Sequence, residues 1–391
     1  MSEKQKKYGK AIVIGGGNGI GLAIVMELSS ICESVSIVDR TEPGAALPAN
    51  VTSSRFNLLN GVPDFSAQTE DTDILVITAG FGRIAPFQTF TQAEIENVFR
   101  VNTIALTKVI NQFYARMMQK RPFYCAVMGS IAGLISSPMI SLYSASKAAI
   151  CRLVEGLNIE LESAGTDNRI LDVAPGSIKG TRFTGSDRTD LSQLETLASD
   201  IISNMLSRQT VYIPDYETIY KGVIARYQTD PHAFGMQSCR YKIEGGRMNE
   251  HPQVRVGYLS GTFDLFHVGH LNLLRRAKEY CDYLVVGVHR DASHKGKQTF
   301  IPFEERCEIV RNVRFVDQVI PSLPEDDEVY RSGIVKYDYL FVGSDYKGTE
   351  RFNRYEEYFS DKGVRIIYFP YTDGTSSTQL RDALESASGK K

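Results

Sequence analysis

Ala11-Ile12-Val13-Ile14-Gly15-Gly16-Gly17-Asn18-Gly19-Ile20-Gly21 carries the first architectural signal of the chain. An apolar β-branched run passes directly into glycines, and a helical pattern follows over 20–30. Glycines at a strand-to-helix turn let the backbone approach a pyrophosphate, and the unpaired N–H groups of the helix start face it. Gly15, Gly17, Asn18, Gly19, Ile20 and Gly21 are therefore candidate dinucleotide-binding residues, a ligand-free tight turn being the alternative. Outward from this loop, strand-like runs recur at 34–38, 74–77, 124–128 and 169–173, with helical segments such as 92–119 between them. That rhythm predicts βαβ units on a parallel sheet. After about residue 185 it fades into a mixed stretch, and Tyr241 to Gln253 (YKIEGGRMNEHPQ) reads as a polar linker.

A second start follows. The strand candidate 254–259 runs through Ser260-Gly261-Thr262 into a long helix, with further strands at 283–288, 318–320, 339–342 and 365–369. The expectation is an α/β protein of two Rossmann-like, doubly wound parallel-sheet domains: 1–245, a linker at 246–253, and 254–391. With 391 residues, 42% of them hydrophobic and 23% charged, the chain has material for two cores, which excludes disordered and fibrous classes. A net charge of −2 offers no global field for nucleic acid or an anionic membrane, so any anionic ligand must be held locally. Six scattered cysteines without a CxxC pair fit reduced thiols, and no apolar run approaches membrane-spanning length. A cytoplasmic protein with no nucleic-acid or membrane partner is expected.

Asp39 ends the second strand candidate, where a carboxylate can bind ribose hydroxyls and would repel a 2′-phosphate. NAD is thereby favoured over NADP, although the adjacent Arg40 can pair with such a phosphate. Tyr143 and Lys147 stand four residues apart, on one helix face. A phenol near pKa 10 is a poor acid or base at neutral pH, and a neighbouring cation lowers it. Ser130 follows a strand and can hydrogen-bond the same substrate oxygen.

These residues bring residues 8 to about 185 to a resemblance with the short-chain dehydrogenase/reductase family. Gly15 to Gly21 resembles its glycine loop, and Thr78-Ala79-Gly80 its Asn-Ala-Gly turn with Thr in place of Asn. Asn102, Ser130, Tyr143 and Lys147 resemble its catalytic tetrad, and Pro175-Gly176-Ser177-Ile178 with Thr181 the segment closing over the nicotinamide. Asn57 stands where an aspartate usually touches adenine. The resemblance implies hydride transfer, with Tyr143 protonating the carbonyl oxygen and Ser130 holding it. It further implies that Lys147 binds the nicotinamide ribose and tunes Tyr143, while Asn102 supports a relay water.

In Ser260-Gly261-Thr262-Phe263-Asp264-Leu265-Phe266-His267-Val268-Gly269-His270, two histidines three residues apart open a helix. The helix start and both imidazoles can stabilise charge on a phosphoryl group, and no third His or Cys is near enough for a zinc site. From about 254 to 385 the chain resembles the cytidylyltransferase family of the nucleotidyltransferase superfamily, its glycerol-3-phosphate cytidylyltransferase members most of all. Supporting segments are 275–291, Phe303-Glu304-Glu305-Arg306, 316–321, 343–348 and Thr372-Asp373-Gly374-Thr375-Ser376-Ser377-Thr378. The family implies attack of a phosphate monoester on CTP, with Mg²⁺ on the triphosphate. His267 and His270 would stabilise the transferring phosphoryl, and Lys297 or Lys295, together with Arg306, would hold phosphates. Thr372, Ser376, Ser377 and Thr378 would cradle the triphosphate. Gly261, Thr262 and Phe263 would contact nucleotide, and Asp264 and Asp345 would orient nucleotide or metal, Asp264 being the candidate for the metal. Tyr371 departs from the arginine those members carry, which puts the acceptor or base contact in doubt and leaves ATP as the alternative nucleotide.

The fusion predicts consecutive steps: a phosphorylated ketose reduced to an alditol phosphate, then coupled to CMP, giving a CDP-ribitol or CDP-glycerol type donor for capsule or teichoic-acid-like polymers. The alternatives are oxidation of the CDP-alcohol product, reduction of phosphonoacetaldehyde, or a dehydrogenase half serving only as a scaffold. Both families resembled imply a homodimer or homotetramer.

Overall fold

Two compact units, Met1–Gln253 and Val254–Lys391, divide the chain in the computed structural model. It describes residues 7–178, 190–246, 254–291, 298–370 and 379–380. The first unit contains β1 (Tyr8–Ile14), α1 (Gly19–Ile31), β2 (Cys32–Asp39), β3 (Val51–Arg55), β4 (Thr72–Ile77), α2 (Gln92–Phe99), α3 (Leu106–Met117), β5 (Tyr124–Met128), α4 (Ile131–Leu134), α5 (Ser141–Ser163), β6 (Arg169–Val173), α6 (Glu195–Leu206), β7 (Val211–Tyr212), α7 (Lys221–Thr229) and α8 (Pro231–Glu244). Its seven strands run in the order β3-β2-β1-β4-β5-β6-β7, every pairing parallel.

β1 shows why such a strand reads as a continuous apolar run. Ala11 and Val13 pack on one face with Ile24 and Leu28 of α1 and Ile201 and Met205 of α6. Ile12 and Ile14 pack on the other with Val109 and Phe113 of α3 and Ile150 and Val154 of α5. With helices on both faces, neither side of the strand tolerates a polar residue. The strand order reverses between β1 and β4, which opens a crevice at their carboxyl ends, the usual ligand position in a doubly wound sheet.

The helix expected over 92–119 is interrupted: Arg100–Ala105 forms a π-turn between α2 and α3. The stretch after 185 is predominantly helical where described, and Tyr241–Glu244, expected in the linker, is the last turn of α8. Asp230 caps that helix by accepting the Ala233 N–H at 2.9 Å, with Pro231 in its first turn.

The second unit contains β8 (Val256–Gly261), α9 (Val268–Tyr280), β9 (Tyr283–Val288), α10 (Phe303–Arg311), β10 (Gln318–Pro321), α11 (Asp326–Arg331), β11 (Tyr339–Gly343), α12 (Glu350–Phe359) and β12 (Arg365–Phe369). Its five parallel strands follow the order β10-β9-β8-β11-β12, reversing between β8 and β11. One face buries Leu274, Ala277 and Val310 against Val286 and Phe341. On the other, Tyr258 stacks on Tyr337 at 5.1 Å, and Tyr337 packs on Phe359 at 5.8 Å. Among the described residues no helix is long and apolar enough to cross a membrane.

Candidate active sites

In the first unit a cavity of about 650 Å³ occupies the β1/β4 crevice. Gly15, Asn18, Gly19, Ile20, Gly21, Asp39, Arg40, Asn57, Ala79, Gly80, Ser130, Tyr143, Lys147, Pro175, Gly176 and Ile178 all line it. Gly17 does not. Its N–H is held by Asp39 Oδ2 at 2.9 Å, and a Cβ there would lie 2.9 Å from Asp39 Cγ. Asp39 Oδ1 also accepts the Thr41 N–H and hydroxyl, so this carboxylate fixes the loop as well as facing the cavity. Gly21 lets α1 approach β1: a Cβ there would meet the Gly15 carbonyl oxygen at 2.2 Å. Thr78, in the place of the expected Asn, donates to the carbonyls of Ile14 and Gly15 at 3.2 and 3.0 Å and ties β4 to the loop. Asn57 accepts the Leu59 N–H at 3.1 Å and caps a short 3₁₀ turn at the cavity wall. Thr181 lies outside the described residues.

Asn102 sits in the π-turn, fully buried. Its Nδ2 donates to Phe81 O (2.8 Å) and Ser146 Oγ (3.0 Å), and its Oδ1 accepts the Phe81 N–H (3.0 Å). These contacts are those of a clamp that holds the backbone beside Gly80, where a Cβ would be 3.1 Å from Lys147 Nζ. Lys147 Nζ donates to Met128 O at 2.6 Å and lies 5.7 Å from the Tyr143 ring centre. The expectation that this ammonium lowers the phenol meets a stronger opposing effect. Burial pushes Tyr143 up to about 12, with the Ser130 hydroxyl pulling the other way. Burial also brings Lys147 down to about 8. Burial raises the Asp172 carboxyl, and the charge of that carboxylate in turn supports the Lys147 ammonium.

In the second unit His267 caps α9, its Nδ1 accepting the Gly269 N–H at 3.0 Å. That bond assigns the ring proton of the neutral form to Nε2, and burial lowers the imidazole from its ordinary value. The His267 and His270 rings lie 4.1 Å apart, and Phe263 and Phe266 flank His270 at 5.3 and 5.4 Å. Phe263 and Leu265 take φ of 53° and 49°, left-handed values that cost energy in non-glycine residues and cluster at functional loops.

Two expected ligand contacts have other partners here. Arg306 is fully buried and donates to the carbonyls of Thr262, His289, Arg290 and Ile301. Through these four carbonyls it braces the β8–α9 loop. Asp264, 5% exposed, accepts the N–H groups of Phe300 and Ile301, which ties that loop to the start of α10. Gly261 ends β8 with Thr262 next to it, and Asp345 is exposed in the 3₁₀ turn after β11. Lys295, Lys297, Tyr371, Thr372, Ser376, Ser377 and Thr378 lie outside the described residues. Among those described, no group of three or more His, Cys, Asp or Glu residues could hold a metal ion.

Comparison with known proteins assigns both units. Residues 9–192 match the family described as short chain dehydrogenase, and residues 258–383 match the family described as cytidylyltransferase-like. The second unit is 38% identical over 130 residues to the glycerol-3-phosphate cytidylyltransferase of Bacillus spizizenii, covering 32% of this chain and 94% of that one. The chain joins a short-chain dehydrogenase to a cytidylyltransferase. It is also 33% identical over 135 residues to the glycerol-3-phosphate cytidylyltransferase of Staphylococcus aureus, covering 33% of this chain and 95% of that one. Among solved structures, a short chain dehydrogenase from Burkholderia cenocepacia J2315 in complex with NADP is similar at TM-score 0.49 and 17% identity, covering 60% of this chain and 99% of that one. The bifunctional architecture follows from both units being present in one chain.

Three residues of the dehydrogenase unit escaped the sequence reading. Tyr220 covers Gly176 so closely that a Cβ there would overlap its hydroxyl, and Tyr241 and Lys242 of α8 line the cavity. For Tyr241 and Lys242 the Asp230-Pro231 start and Gly245-Gly246 end of α8 were the available signals.

Proposed function

We propose that the chain makes a CDP-alditol in two steps, the dehydrogenase unit reducing a phosphorylated ketose to an alditol phosphate and the cytidylyltransferase unit coupling that product to CMP. The observation that supports this is the union in one chain of a carbonyl-directed Tyr-Ser-Lys site with a unit whose curated relatives are named for glycerol 3-phosphate.

The glycine loop, Asp39 and the Pro175–Ile178 segment fit a nicotinamide dinucleotide, since they line one cavity at the carboxyl ends of β1 and β4. That group, when bound, supplies a hydride for the carbonyl carbon. Tyr143 is protonated at neutral pH, so its phenol donates a proton to the carbonyl oxygen while the Ser130 hydroxyl holds that oxygen. The Lys147 ammonium stabilises the phenolate left behind. Asp39 favours NAD. In the second unit a phosphate oxygen of the alditol phosphate bonds to the α-phosphorus of CTP, and the bond to the bridging oxygen breaks, releasing pyrophosphate. His267 and His270 steady the charge on the transferring group, and positioning does the rest. Mg²⁺ travels with the triphosphate.

The test offers purified protein with Mg²⁺, CTP and NADH or NADPH a panel of dihydroxyacetone phosphate, ribulose 5-phosphate, xylulose 5-phosphate and phosphonoacetaldehyde. Pyrophosphate release that requires cofactor oxidation with one ketose phosphate supports the order proposed. Pyrophosphate only from preformed alditol phosphates, with cofactor never oxidised, refutes it.

A further inference from the structure

Lys242 is a cation in the wall of the dehydrogenase cavity, which also exposes Ser130, Tyr143 and Ser137. Its residue is 9% exposed, and its Nζ donates to Ser137 Oγ (2.8 Å), Pro138 O (2.7 Å) and Ser238 Oγ (3.1 Å). All three acceptors are neutral. Burial brings the ammonium down to about 8, with only the Cys239 thiol acting against it. A link between α8 and the loop before α5 could be made by a neutral donor without the cost of burying charge. A lysine held here instead keeps a positive charge in the wall of the cavity that the reacting phenol also lines.

We infer that Lys242, with the Ser137 hydroxyl beside it, is an anion subsite that takes the phosphate of a phosphorylated ketose while the carbonyl meets Tyr143. This rests on the two-step reading, and it explains how a reductase would select the phosphorylated form its partner unit requires. The lysine acts on the phosphate through its charge, its three N–H groups being held by Ser137, Pro138 and Ser238, while the Ser137 hydroxyl keeps its own proton to donate; neither takes part in proton or hydride movement.

The test compares full-length wild type, Lys242→Met and Lys242→Arg in cofactor oxidation with ribulose 5-phosphate against ribulose, and dihydroxyacetone phosphate against dihydroxyacetone. The expected result is at least a tenfold fall in the kcat/KM preference for the phosphorylated member in Lys242→Met, read mainly in KM, and a preference kept within about threefold in Lys242→Arg. An unchanged preference, with both members slowed alike, makes Lys242 a structural link and overturns the inference. A second measurement needs no turnover: with NADH present, inorganic phosphate at matched ionic strength should raise the melting temperature of wild type more than that of Lys242→Met or Lys242→Gln. Equal shifts overturn the inference. Wild type that reduces no ketose phosphate, yet loses phosphate stabilisation on Lys242→Met, refutes the two-step reading and leaves the subsite standing.

Discussion

Replacing Arg306 by Met separates a scaffold from a phosphate ligand. The guanidinium is fully buried and donates to four carbonyls, those of Thr262, His289, Arg290 and Ile301. Hydrogen bonds to a charged group are worth about 1.5–3 kcal/mol each, and a buried acceptor left alone costs about 1–3 kcal/mol. Water entry and relaxation recover part of this, so a loss of about 4 kcal/mol is expected for the cytidylyltransferase unit. At roughly 3–4 °C per kcal/mol for a unit of this size, its melting temperature should fall by about 15 °C. Calorimetry of the full chain measures this, with nicotinamide nucleotide binding as the control that the dehydrogenase unit is intact. In the cold, where the variant remains folded, KM for CTP should stay within about threefold of wild type. An unchanged melting temperature together with a tenfold higher KM for CTP would refute the reasoning and return Arg306 to the phosphates.

Tyr143→Phe should lower ketose reduction by at least about a hundredfold while pyrophosphate release from a preformed alditol phosphate persists, both read in one coupled assay. Loss of both activities would contradict the separate sites. Gly21→Ala places a methyl 2.2 Å from the Gly15 carbonyl oxygen and 2.5 Å from Thr78 Oγ1. It should weaken nicotinamide nucleotide binding tenfold or more by fluorescence titration, and wild-type affinity would show that the loop can shift. Lys147 is brought down to about 8 from 10.5, so the folded protein binds fewer protons than the unfolded chain between those values. Stability from this group therefore rises with pH over that window, whereas Tyr143, raised from 10.0 to about 12, makes stability fall between 10 and 12. Reduction should decline as pH rises through about 8. In Asp172→Asn that limb should move to lower pH, because the carboxylate supports the Lys147 ammonium; a limb that stays in place refutes the coupling.

What was legible in the sequence was local. Gly15–Gly21, Asp39, the Tyr143/Lys147 pair and the His267/His270 pair depend on spacing along one turn or one helix face, and their positions follow from it. β3 went unread because Val51-Thr52-Ser53-Ser54-Arg55 buries only its first residue at a sheet edge and carries no apolar alternation. The π-turn at Arg100–Ala105 hid inside a continuous helical pattern. Arg306 stands beside two exposed glutamates, and only packing decides that its side chain turns inward to carbonyls 16, 17 and 44 residues away. Lys242 was read as part of a polar linker, although Asp230-Pro231 and Gly245-Gly246 bracket a helix; that it reaches Ser137 and Pro138, more than 100 residues earlier, is tertiary information.

The wide turn at Arg100–Ala105 also limits how the chain can change in length. An α-helix turns about 100° per residue, and a π-turn accommodates one residue more than the ladder on either side. A one-residue deletion between Phe99 and Leu106 would heal the helix and improve its backbone bonds. It would also rotate the faces of α2 and α3 against each other by about a quarter turn, carrying Asn102 away from Phe81 and Ser146. The residue count of this segment is therefore tied to where Asn102 stands, and the helix stays less regular than it could be.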